Sequence, residues 1–289
     1  MDFIYEKARS VEKACELKAR YKENGAFIAG GTDFLVDMRN NVLEPEPRAV
    51  IDISDLDEIN YIRREDNQVK IGAATRVSEI QKSSIVQREA PILSKACREF
   101  ANPLIKNIAT LGGNLINASP AADMATPLLV LGAKAVLKSV SGERVIPLEE
   151  FFSGVKRTNH RNDELLTEIR FNEAQRKKCE FLKLGQRNGT SISIASLALI
   201  FNIADGVITD AVRLALGSVA PVPFRAGKAE AALCGVEPSL ENIKRAGNIL
   251  KNEVNPITDV RGSADYRREM SAVLLLTAFQ NLGYACSEL

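Results

Sequence analysis

The 289-residue chain has no tryptophan and a single histidine. That histidine, His160, stands in the polar run KRTNHRND and is expected to be a solvated loop residue, so no Ser-His-Asp or Cys-His set can be assembled. No metal-ligand spacing is present. The five cysteines, Cys15, Cys97, Cys179, Cys234 and Cys286, stand singly without a CxxC pair, as reduced thiols of a reducing compartment do. No apolar run reaches the roughly 18 residues of a membrane span. The longest, SISIASLALIF at 191–201, is short and mixed with serine. Neither charge is in surplus: 38 basic against 37 acidic residues exclude a nucleic-acid or anionic-membrane footprint. The opening MDFIYEKARS carries acid early and lacks an apolar signal core, so the sequons at Asn117 and Asn188 read as chance matches. A soluble, cytoplasmic protein is expected.

What is present is enough chain for two cores. Residues 11–24 predict a helix opened by Ser10, with Val11, Ala14, Cys15 and Leu17 inward. AFIAG at 26–30 and AVIDI at 49–53 read as short strands covered on both faces. QVKIGAA at 68–74 alternates, as a strand with one exposed face does. KAVLKSV and RVIPLEEF flank Ser141-Gly142 as a hairpin, and ELLTEIRF at 164–171 is a further strand. After the charged stretch NEAQRKK, SISIASLALIFNI and VITDAVRLALGSV form a long hairpin around Ala204-Asp205-Gly206. Two helices follow, one through Leu240, Ile243, Gly247, Leu250 and Val254, the other running from Asp265. Strands and helices so segregated give an α+β fold, divided at 1–172 (subdomains about 1–55 and 56–172) and 176–289.

Two stretches carry chemistry. In FIAGGTDFL, Gly30-Gly31 lies between a strand and a helix, with Thr32 expected as N-cap. Bare backbone there lets amide groups approach an anion, most often phosphate. The spacing is not GxGxxG, and a plain strand-to-helix turn would use the same residues. The second stretch, ATLGGNLINASPAAD, repeats the device at Gly112-Gly113. It then places Ser119 as a cap, Pro120 at the first helical position and Asp123 in the first turn. Two such loops could cradle the two phosphates of one dinucleotide.

With these two stretches, KLGQR at 183–187 and LGSVAPVPFRA at 216–226, the sequence resembles the FAD-binding subunits of molybdenum hydroxylases, the xanthine dehydrogenase family, over nearly its whole length. The resemblance implies a vanillyl-alcohol-oxidase-type FAD domain of two α+β subdomains, followed by a sheet-and-helix domain. It implies that Phe27, Ile28, Ala29, Gly30, Gly31, Thr32, Asp33 and Phe34 wrap the FAD pyrophosphate. Ala109, Thr110, Leu111, Gly112 and Gly113 would form the second phosphate and ribityl loop, extended by Asn114. Asp123 would bond the adenosine part, while Phe100, Leu165 and Lys183 line the site. Phe100 and Leu165 also fit as core residues, and Lys183 as a solvated strand-end charge. The loop after Lys183 would sit beside the isoalloxazine.

The resemblance further implies an electron-transfer chain with no catalytic side chain and no metal of its own. Its partners would be a [2Fe–2S] subunit and a molybdopterin subunit, and its acceptor NAD or another. The segment 109–171 has no cysteine for an additional cluster. A stand-alone flavin oxidase or reductase of the same fold, or a cofactor-free assembly subunit, would also fit.

Overall fold

The computed structural model describes residues 3–172, 178–187 and 191–284. Most of NEAQRKK, the Asn188 sequon with Gly189, and Cys286 lie outside the described residues.

Among the described residues three sheets of three or more strands follow one another along the chain, with two small two-stranded ribbons beside them. The first is parallel, in the spatial order Ile4–Lys7, Ala49–Asp52, Gly25–Ile28. Its register sets Phe27 beside Ile51 and Ile28 beside Asp52. The helix Val11–Tyr21 makes the crossover and packs Val11, Ala14, Cys15 and Leu17 against Ile51 and Ile53. Ser10 opens it as expected, its hydroxyl accepting from the Lys13 amide at 3.1 Å.

The second sheet is antiparallel and five-stranded, in the order Ile62–Glu65, Gln68–Gly72, Leu165–Asn172, Lys134–Ser139, Gly142–Pro147. Alternation holds over Gln68–Ile71, where Val69 and Ile71 are fully buried and Gln68 and Lys70 half-exposed, and ends at the buried Gly72. The hairpin pairs Ser139 with Gly142 across a two-residue turn. Short helices between residues 77 and 130 cover the inner face.

The third sheet runs Lys178–Leu184, Ala195–Phe201, Arg213–Gly217, Phe224–Arg225, all antiparallel. One face joins the core of the second unit through Cys179, Phe181, Ala198, Ile200 and Ala215. The other packs on the helices Gly227–Leu233, Leu240–Glu253 and Ala264–Asn281. Covered on both faces, Ala195–Phe201 is buried at every residue, which is why ASLALIF reads as a continuous apolar run. The α+β class expected from the sequence is the one observed. Among the described residues no helix is long and apolar enough to cross a membrane.

Candidate cofactor site

The strand Gly25–Ile28 ends against the second unit, and Gly30 fixes how closely. A Cβ on Gly30 would lie 2.2 Å from the Ile108 carbonyl oxygen and 3.1 Å from Ala109 Cα. The two glycine stretches therefore meet, and only glycine permits the approach. Gly31 follows at φ +67°, the left-handed region that other residues avoid. That turn consumes the residues expected to start the helix. The helix runs Phe34–Arg39 with Asp33 at its N-cap and no side-chain cap, so Thr32 does not take the capping role read for it. Among the described residues the amides of Gly30, Gly31, Thr32 and Asp33 have no hydrogen-bond acceptor.

The second stretch differs from the open loop expected. Gly112-Gly113 forms the first turn of the helix Leu111–Ile116, capped by the Thr110 hydroxyl, which accepts from the Gly113 amide at 3.0 Å. The Leu111 amide donates to Thr75 O (3.0 Å) and that of Gly112 to Ala73 O (2.8 Å). A Cβ on Gly112 would meet Ala73 Cβ at 2.7 Å, so this glycine serves packing. Asn114 Oδ1 accepts from the Met124 amide at 3.3 Å, which pins the segment 117–124. That segment is turns, not the helix start read at Ser119-Pro120. The next helix is Ala125–Val130, and Asp123 precedes it.

Between the two stretches lies a cavity of about 570 Å³, within the roughly 300–1,000 Å³ of small-molecule sites. All of 27–34, together with Phe100, Ala109, Thr110, Gly113 and Asn114, line it. Asp37, Asn117 and Lys156 complete its rim. A second cavity of about 310 Å³ shares Phe27, Ala29, Phe34, Thr110 and Gly113 with it. Gly112 and Leu165 line this smaller space, with Lys18, His160 and Glu164.

His160 is thus not a solvated loop residue: it is half-buried on the cavity wall, hydrogen-bonded to the Thr158 hydroxyl. Burial, and next the nearby Lys18 charge, hold its pKa below the ordinary value. Glu164 accepts from Arg144 at 2.6 and 2.8 Å. Burial works to raise its carboxyl, but those bonds and the Arg161 amide outweigh it and leave it below the usual range.

Three expected residues lie outside both linings. Leu111 is fully buried in the core. Asp123 and Lys183 meet as a buried ion pair at 2.6 Å, where the third sheet joins the second unit. Lys183 Nζ also reaches Glu99 O (3.2 Å), and the Ser193 hydroxyl donates to Asp123 (2.6 Å). Burial keeps the Asp123 carboxyl above its ordinary value even beside Lys183. Lys18, His160, Glu164 and Lys156 also line the cavities and were not among the residues the sequence singled out. The lone histidine was the only signal among them: Lys18 reads as an ordinary charge of the helix 11–24, Glu164 as the first residue of the strand 164–171, and Lys156 as part of a polar stretch.

Comparison with known proteins decides the identity. Residues 1–172 match the family model for the FAD-binding domain in molybdopterin dehydrogenase. Residues 180–282 match the C-terminal domain of the CO dehydrogenase flavoprotein. The chain belongs to the FAD-binding medium subunits of the molybdenum hydroxylase family. The chain is 33% identical to the glyceraldehyde dehydrogenase medium chain of Sulfolobus acidocaldarius, covering 97% of this chain and 98% of the relative. To the nicotinate dehydrogenase FAD-subunit of Eubacterium barkeri it is 31% identical, over 93% and 92%. Among solved structures, carbon monoxide dehydrogenase from Hydrogenophaga pseudoflava superposes with a TM-score of 0.93 at 30% identity, over 99% and 97% of the two chains.

As a medium subunit of this family the chain binds FAD and is part of an oxidoreductase. The cavity fits that cofactor: unpaired consecutive amides offer anion contacts on one wall, and the absent Cβ of Gly30 lets that wall touch the second stretch at Ile108 and Ala109.

Proposed function

We propose that the medium subunit holds FAD in the joined cavities and serves as the electron-transfer module of a heteromeric molybdenum hydroxylase. It stands between a [2Fe–2S] subunit and NAD or another acceptor, with the substrate-oxidising molybdopterin site on a further subunit. The observation that carries this is the convergence of residues 27–34 with Ala109, Thr110, Gly113 and Asn114 on one cavity, four of whose lining amides are unpaired among the described residues.

The Gly30–Asp33 amides bind the diphosphate. Thr110 contributes a hydroxyl proton, since its oxygen already accepts from Gly113. Phe100, 9% exposed, supplies an apolar wall. Leu165 lines the smaller lobe, and the Asp123–Lys183 pair stiffens the approach from the third sheet. FAD supplies one- and two-electron chemistry that side chains lack, and the protein supplies binding, orientation and electrostatics. Residues 1–172 supply every described lining residue of the two cavities and carry the cofactor, and 176–289 form the C-terminal domain. The cytoplasm suits its unpaired thiols.

Expression with the neighbouring genes' products tests this. A complex of three kinds of chain carrying flavin, iron–sulfur cluster and molybdenum is expected. Complete substrate turnover by the isolated chain would instead favour a stand-alone flavoenzyme.

A further inference from the structure

Lys156 occupies the turn of a small ribbon formed by Phe152–Gly154 and Arg157–Thr158. Its backbone is left-handed at φ +56°, a conformation that costs a non-glycine residue free energy and has to be held by its surroundings. Here the Lys156 amide donates to the carbonyl of the buried Ala118 at 3.0 Å. The side chain then bridges the two walls of the larger cavity. Its Nζ donates to Asn117 Oδ1 at 2.6 Å, just past the helix Leu111–Ile116. It also donates to Asp37 Oδ2 at 3.1 Å, on the helix Phe34–Arg39.

Charge gives this bridge a meaning beyond packing. Asp33, Asp37 and Glu44 all line the cavity, and Lys156 is the one cationic side chain among its described lining residues. A diphosphate entering a space bordered by three carboxylates meets repulsion that neutral amides offset only in part. An ammonium has three donors, so Lys156 can keep Asn117 and exchange Asp37 for a phosphate oxygen.

We propose that Lys156 is the counter-charge of the cofactor's diphosphate and that its ribbon straps the cavity mouth through that contact. The proposal rests on FAD occupying this cavity. The opposing explanation is a surface ion pair of little consequence, the usual worth of an exposed pair.

Fluorescence titration of the flavin-free chain with FAD, at about 50 and about 500 mM salt, separates the two. Lys156→Gln is expected to bind FAD roughly ten- to hundredfold more weakly at low salt, the worth of a charge-assisted hydrogen bond. At high salt the gap to wild type narrows, and Lys156→Arg restores most of the affinity. Equal affinities of wild type and Lys156→Gln would overturn the proposal. So would a loss in Lys156→Gln that is the same at both salt concentrations and accompanied by a lower melting temperature of the flavin-free chain. A wild-type chain that takes up no FAD overturns the cofactor-site reading, and this proposal falls with it.

Discussion

Gly31 and Gly30 are constrained by different physics, and substitution separates them. At φ +67° a valine at position 31 carries backbone strain, and its Cβ sits 3.2–3.3 Å from Leu35 and Ile28 side chains. Gly31→Val is expected to fold with a loss of about 1–3 kcal/mol and to purify with little flavin, because the amide row no longer keeps its direction. The flavin-to-protein ratio checks this, and full occupancy would refute the assignment of this loop. His160 offers a cleaner readout because it is the only imidazole in the chain. Its folded pKa lies below the ordinary value, so the unfolded chain takes up a proton first as pH falls. Stability from this residue is therefore complete above about 6.5 and is lost as pH drops from there through the folded pKa. NMR titration of the single imidazole should give a midpoint below 6.5, whereas a midpoint at or above it would place His160 in water.

At the scale of elements, the parts legible in the sequence are those set by local physics. Ser10 caps its helix because a hydroxyl satisfies an orphan amide, and ASLALIF announces its strand because both faces are covered. The helix Leu111–Ile116 was not legible. Two glycines at its start argue against a helix by propensity, yet contact with Ala73 and bonds to Ala73 and Thr75 impose one. Asp123 and Lys183 were legible only through family resemblance, since 60 residues separate them and no local pattern joins them. Their pairing ties Lys178–Leu184 to the turn before Ala125–Val130. Lys183→Met leaves the buried Asp123 unpaired and is expected to cost about 3–5 kcal/mol at neutral pH. Because burial already holds the Asp123 pKa up, lowering the pH protonates it in the folded variant and should shrink that deficit. Chemical denaturation of both proteins across pH measures it. A deficit independent of pH would show that the methionine merely packs badly.

Over the whole molecule, two cores meet on opposite faces of the third sheet, and the two cavities proposed to hold the cofactor open between the first two units. Such a cavity between units is legible only as a coincidence of two distant glycine pairs. Which amides stay free is set by tertiary contacts: those of Leu111 and Gly112 are taken by Thr75 and Ala73, while Gly30–Asp33 face the space unpaired. The central claim is that this row of amides holds the cofactor diphosphate. Hydrogen exchange of the backbone at residues 30–33, compared with and without saturating FAD, tests it directly. Marked slowing across Gly30–Asp33 when FAD binds is the predicted result, and unchanged exchange there despite demonstrated FAD binding would contradict it.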